Sequence, residues 1–173
     1  MSKSTKFTAG APFPDFAWPL VAGGQLDLAR MSGWRVLVVY RGRHCPRCKT
    51  YLNALDGLLE DFEAAGISVA ALSADPAERA QTSVSENGWR FPVASGLTVE
   101  QMRIMGLYIS EPRSAQETDR PFAEPGLFVV NPDNNVQAVD VSNASYTRPD
   151  LATLLDGIKY AIANRPPVRG TVA

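Results

Sequence analysis

Cys45 and Cys48 are the only thiols in a chain of 173 residues, and they stand three positions apart with Pro46 and Arg47 between them. Two thiols at this spacing can run a dithiol/disulfide cycle: one sulfur attacks or is oxidised, and the other closes onto it. The loop they would close is too tight to brace a secreted fold, so reactivity is the leading explanation for the pair. With no further cysteine and a single histidine, His44, the ligands for zinc are missing, and neither metal nor cofactor is expected. The reactive species is the thiolate, which is stabilised at a helix start by unpaired backbone N–H groups and the positive end of the helix dipole. Cys45 is the expected nucleophile, accessible and with a lowered pKa. Cys48, one turn inward and less exposed, is the expected resolving thiol. Arg43, Arg47 and, when protonated, His44 are candidates to add positive potential at the sulfur.

The elements that must position this pair can be read from the flanking pattern. Arg35-Val-Leu-Val-Val-Tyr40 predicts a strand buried on both faces, running straight into the cysteines. Tyr51, Leu52, Leu55, Leu58, Leu59 and Phe62 then recur at helical spacing until Gly66, so Pro46 falls in a helix's first turn, where proline is tolerated. Residues 67–73 predict a second buried strand. Asp75-Pro76 reads as the cap and first turn of a short helix ending near Asn87-Gly88. This β-α-β unit requires parallel strands. Upstream, Gly23-Gly24 within 18–28 predicts a β-hairpin. Downstream follow a short strand at 91–94, a short helix at 99–105 and a long polar loop at 110–124 that flanks the site. Residues 127–130 and 136–141 predict an antiparallel hairpin, and 149–163 an amphipathic closing helix. The reading is one α/β domain over 1–173, with 1–9 and 165–173 as flexible tails.

Seventeen basic residues nearly cancel eighteen acidic ones, which argues against nucleic acid or an anionic membrane surface as a partner. No apolar run approaches the ~18 residues a spanning helix needs, and the polar start lacks a secretory signal, so a cytoplasmic protein is expected.

Four stretches, Gly10-Ala-Pro-Phe-Pro-Asp-Phe16, Gly23-Gly-Gln-Leu-Asp-Leu28, the strand into Cys45, and Pro125-Gly-Leu-Phe-Val-Val-Asn131, occur in the order that resembles the alkyl hydroperoxide reductase/thiol-specific antioxidant (AhpC/TSA) branch of the thioredoxin superfamily, the peroxiredoxins. The resemblance implies a thioredoxin fold, a central mixed sheet flanked by helices, with the hairpin as an N-terminal extension. It also implies that homodimers are common among such relatives. The departures matter as much. The family places Pro and Thr or Ser seven and three positions before its peroxidatic cysteine, where this chain has Val38 and Gly42. The family's arginine before the Gly-Leu-Phe strand is replaced by Pro125. In that place Pro125 resembles the thioredoxin cis-proline, which faces the CxxC and shapes the substrate groove.

Three functions follow. The first is a thiol-disulfide oxidoreductase of redox homeostasis, acting on a protein or small-molecule disulfide and recycled by a reducing thiol system. The alternative is an atypical, antioxidant thiol peroxidase in which a hydroperoxide converts Cys45 to a sulfenic acid that Cys48 condenses with. Its oxygen-polarising donors would be the helix-start amides, Arg41, Arg43 or His44. The third is a non-catalytic adaptor on the same fold. Disulfide exchange asks least of the site and ranks first on sequence.

Overall fold

The chain enters through a hairpin, β1 (Trp18–Pro19) against β2 (Gln25–Leu26), turned by Gly23 and Gly24 at φ 99° and 74°, conformations that favour glycine. A 3-10 turn (Leu28–Arg30) leads to β3 (Trp34–Val39), and the cysteines open α1 (Pro46–Gly57). The computed structural model describes residues 6–172. The expected single helix is split: α2 (Leu59–Ala64) follows a break at Leu58, whose N–H tightens back onto Leu55 and Asp56 carbonyls. Gly57, a weak helix former, stands at the break. Next come β4 (Ile67–Leu72), α3 (Ala77–Asn87), β5 (Val93–Ala94) and α4 (Val99–Ile104). The long polar segment is not wholly irregular, since its ends pair as β6 (Ile109–Ser110) and β7 (Phe122–Ala123). β8 (Gly126–Val130), β9 (Val136–Val141) and α5 (Leu151–Asn164) complete the chain.

Five strands form one mixed sheet in the order β5-β4-β3-β8-β9. β3 is central, parallel to β4 with Val38 beside Ala71, and antiparallel to β8 with Val38 beside Leu127. Alternation along β3 fills both faces. Val36, Val38 and Tyr40 meet Leu52 and Leu55 of α1, Phe62 of α2 and Leu155 and Ile158 of α5. Leu37 and Val39 meet Trp18 and Leu26 of the hairpin and Met102 of α4. Each such buried side chain contributes roughly 1.5–3 kcal/mol of transfer free energy, which holds the strand end rigid where it reaches the cysteines.

Arg35 interrupts the apolar run of β3, 1% exposed. Its guanidinium donates to the carbonyls of Leu28, at 2.6 Å, and of Met31 and Asn131. Three backbone dipoles thus solvate a buried cation and tie the 3-10 turn to the end of β8.

Asp75 does not cap α3 as its position suggests. Pro76 occupies the N-cap without a side-chain bond, and the Asp75 carboxylate turns back to the loop before Cys45. Of the two tails, residues 1–5 and 173 lie outside the described residues. Phe7 packs edge-on to Phe128 at 5.7 Å, and residues 165–172 run without regular structure past Gly10, where a Cβ would lie 3.5 Å from Thr171. Among the described residues no helix is long and apolar enough to cross a membrane.

Candidate active site

Just past β3 the Tyr40 N–H still donates to Leu72 O at 3.0 Å, carrying the pairing with β4 to the lip of the site. Arg41-Gly42-Arg43-His44 then turns the chain so that Cys45 is the N-cap of α1, at φ −107° and ψ 103°. Its sulfur accepts the Cys48 N–H at 3.2 Å. Pro46 follows in the first turn, where a missing N–H costs nothing. Cys48 sits one turn in, its sulfur accepting from the Arg41 N–H at 3.4 Å and from Arg148 Nη2 at 2.8 Å. Both thiols are free. The expected contrast in exposure is absent, since Cys45 is 2% and Cys48 1% exposed. Residues just past β3, of α1 and of α3 line the space beside Cys45. This space is a cavity of about 290 Å³ lined by Tyr40, Cys45, Lys49, Ser83, Glu86 and Trp89 among others.

The acidities of the two thiols are driven in opposite directions. Cys45 is pulled down to about 5, chiefly because the Cys48 thiol donates to it, with the Cys48 N–H and the Arg41 guanidinium adding to the effect against the opposing cost of burial. Cys48 is pushed up, first by burial and then by its role as donor to Cys45, with Arg148 pulling the other way. One anion and one thiol, coupled by a hydrogen bond, is the state the site favours near neutral pH.

Arg41 is the cation that reaches Cys45, and the 110–124 segment holds it there. Its Nε lies 3.0 Å from Glu124 Oε2, its Nη2 lies 3.7 Å from Glu117 Oε1, and the guanidinium stands 4.8 Å over the Phe122 ring. Asp75, 3% exposed, fixes the loop from below: it accepts the Arg43 N–H at 2.7 Å and lies 3.6 Å from Arg79. Arg79 in turn bonds Thr118 and Asp119 of the same segment. The long loop therefore sets where Arg41 and the turn before Cys45 sit.

The three cations expected at the sulfur have other occupations. Arg43 pairs with Glu86 at 2.7 Å on the surface, and Arg47 lies over Tyr146 at 5.9 Å. His44 packs edge-on to Phe122 at 4.6 Å. Its pKa is lowered by burial and then by Arg41, so it is neutral, and both ring nitrogens are buried without partners. Pro125 also departs from expectation, because no peptide bond among the described residues is cis. The Pro125 carbonyl accepts the Ser142 N–H at 2.9 Å, continuing the pairing of β8 with β9. Sequence reasoning missed Arg148, Asp75, Glu117 and Glu124 as parts of the site. Asp75 carried a visible signal, a carboxylate directly after a buried strand, but it was absorbed by the cap reading. Arg148, a hundred positions from Cys48, carried none.

A direct consequence is a titration. The far-ultraviolet thiolate absorbance of the reduced protein, corrected by a Cys45→Ser control, is expected to rise with a midpoint near pH 5, the value to which Cys45 is held. Modification by a small alkylating reagent should follow the same curve, flat at neutral pH and falling below the midpoint. A midpoint near that of a free cysteine, ~8.5, would contradict the assigned role of Arg41 and the Cys48 donors.

A sulfur anion capping a helix, with a protonated partner thiol one turn behind it on a mixed sheet of this topology, defines a thiol-dependent oxidoreductase of the thioredoxin fold. The chain belongs to the AhpC/TSA family, whose model matches residues 9–139, and it combines that family's frame with a thioredoxin-like CxxC. The Mycobacterium tuberculosis protein Rv2521, provisionally named a peroxiredoxin, is 32% identical over 109 residues, covering 62% of this chain and 69% of its own. Among solved structures, a mutant peroxiredoxin 6 of Arenicola marina superposes with a TM-score of 0.74 at 20% identity, over 91% of this chain and 74% of its own. AhpC of Mycobacterium bovis gives 0.75 at 17% identity, over 98% and 99%. At such identities the likeness is one of fold.

Proposed function

We propose that this protein is a thiol peroxidase that reduces small hydroperoxides, with Cys45 as the peroxidatic and Cys48 as the resolving thiol. The observation that carries the reading is a Cys45 held as an anion, 2% exposed, on the wall of a small cavity of about 290 Å³. A folded protein disulfide must bring two chains and a sulfur in line with the attacking thiolate, whereas a hydroperoxide is a few atoms across. This reverses the order suggested by the CxxC alone. The Cys45 thiolate attacks the outer oxygen of the hydroperoxide, the O–O bond breaks, and the departing alkoxide or hydroxide takes a proton. Cys45 is left as a sulfenic acid. Arg41 supplies the cation and donor that such a leaving oxygen needs. Cys48 then displaces water from Cys45 to give the disulfide, and an external thiol reductant restores both thiols. The reducing cytoplasm would supply that thiol.

Thiol-disulfide exchange is the second reading, favoured by the CxxC spacing and by the recycling step, which is itself such an exchange. Stopped-flow rates of the reduced protein with hydrogen peroxide and, in parallel, with a model protein disulfide separate the two. The peroxidase reading expects peroxide to react at least ~10²-fold faster than with a free thiol at the same thiolate fraction. Peroxide reacting no faster than free cysteine, alongside rapid reaction with the disulfide, would overturn it.

A further inference from the structure

Arg148, in the turn before α5, is unaccounted for by the nucleophile and its donors. Its Nη2 donates to Cys48 Sγ at 2.8 Å, its Nε to Ser145 O at 3.0 Å, and its guanidinium lies 5.1 Å over the Tyr51 ring. Tyr51 in turn donates to Pro149 O at 2.7 Å, clamping the turn onto α1. Among the described residues no carboxylate lies within ion-pair distance of Arg148, and its Nη1 is buried without a partner. A half-buried cation aimed at a neutral thiol, with no counter-ion, is poorly used in the resting state.

We infer that Arg148 is a catalytic residue of the resolving step, there to stabilise the Cys48 thiolate that forms only after Cys45 has been oxidised. The inference rests on the peroxidase reading. Cys48 is faced by Cys45 and Arg41 from the cysteine loop, by Tyr40 just past β3, and by Arg148. While Cys45 is an anion it holds the Cys48 proton in place. Oxidation to the neutral sulfenic acid removes that negative charge and the acceptor, leaving Arg148 and the Arg41 N–H as the groups that favour a sulfur anion at Cys48. The thiol then ionises, its sulfur attacks the Cys45 sulfur, the S–O bond breaks, and the departing hydroxide takes up the released proton as water. No oxidant beyond the hydroperoxide is consumed. The nucleophile for the second step is thus armed by completion of the first.

The test compares wild type, Arg148→Met and Arg148→Lys, each mixed with hydrogen peroxide, with sulfenic acid trapped by dimedone and disulfide read by mass over time. In Arg148→Met the rate of disulfide closure relative to the rate of sulfenic acid formation is expected to fall by about tenfold or more. The pH at which closure is half-maximal should move upward, and the sulfinic acid formed per turnover should increase as the sulfenic acid waits longer. Arg148→Lys, which keeps a charge, should recover much of the ratio. An unchanged ratio, or equal slowing of both steps as general disruption would give, overturns the inference. A wild type that forms neither sulfenic acid nor disulfide with peroxide overturns the peroxidase reading itself, and the role of Arg148 with it.

Discussion

Replacing Cys45 by serine is expected to reduce hydroperoxide consumption to the level of a thiol-free control, a loss of at least ~10³-fold, because no other group can accept the peroxide oxygen. Cys48, the one remaining thiol, is 1% exposed and does not line the cavity that Cys45 lines, so it cannot take over. Substitution of Cys48 has a different and more informative outcome. Cys48→Ser should still consume one equivalent of peroxide and then stall with a trappable sulfenic acid, since the serine hydroxyl can donate to Cys45 as the thiol does and the backbone N–H at 3.2 Å is retained. Cys48→Ala loses the strongest single stabiliser of the Cys45 anion. Its first step should therefore be slower than that of Cys48→Ser at pH 6, with the gap closing as the pH rises and both thiols ionise fully. Equal first-step rates for the two variants across pH would show that the Cys48 thiol does not set the state of Cys45. Rapid turnover by Cys45→Ser would remove the nucleophile assignment outright.

What sequence patterning reveals and what it hides in this chain divide along one physical line. The central strand, the helix opening at Pro46 and the placement of the two cysteines follow from local signals: a β-branched run, apolar residues at helical spacing, a proline where no N–H is missed. These survive translation into three dimensions because each is decided within a few residues. Charge placement is not local. Arg43 and Arg47 flank Cys45 in sequence, yet adjacent side chains on a turn and helix start diverge, and Glu86 and the Tyr146 ring hold them elsewhere. Arg41, farther along the chain, is turned inward by Glu117, Phe122 and Glu124 across the fold. Arg148 arrives from the end of the sheet on a turn whose position depends on α5 docking against β3. The family's missing proline has a similar explanation. Val38 lies mid-ladder between Ala71 and Leu127, where a proline would remove a sheet N–H, so an ordinary strand residue fits this position here.

The family's missing hydroxyl leads to the second large effect: Gly42→Thr, which restores the residue type found three positions before the peroxidatic cysteine in relatives, is expected to damage this protein. Gly42 sits at φ 138°, in a region that side chains rarely adopt, and a Cβ there would lie 2.8 Å from Asp75 Oδ1 and 3.1 Å from His44 Nδ1. Asp75 cannot retreat cheaply, because its carboxylate holds the Arg43 N–H and Arg79. Backbone strain of ~1–3 kcal/mol, with loss of a charge-assisted bond on top, predicts a fall in unfolding free energy of roughly 2–4 kcal/mol by urea titration. The turn that carries Arg41 would shift relative to Cys45, so peroxide oxidation should slow by at least ~10-fold. If the clash with Asp75 is the cause, shortening that residue helps: Gly42→Thr/Asp75→Gly should be less destabilised than the sum of the two single changes, a favourable coupling in the double-mutant cycle. Additive effects would place the strain in the backbone alone. A Gly42→Thr protein as stable as wild type and faster with peroxide would mean that the hydroxyl has simply been lost here, and that Asp75 and Arg41 do not stand in its place.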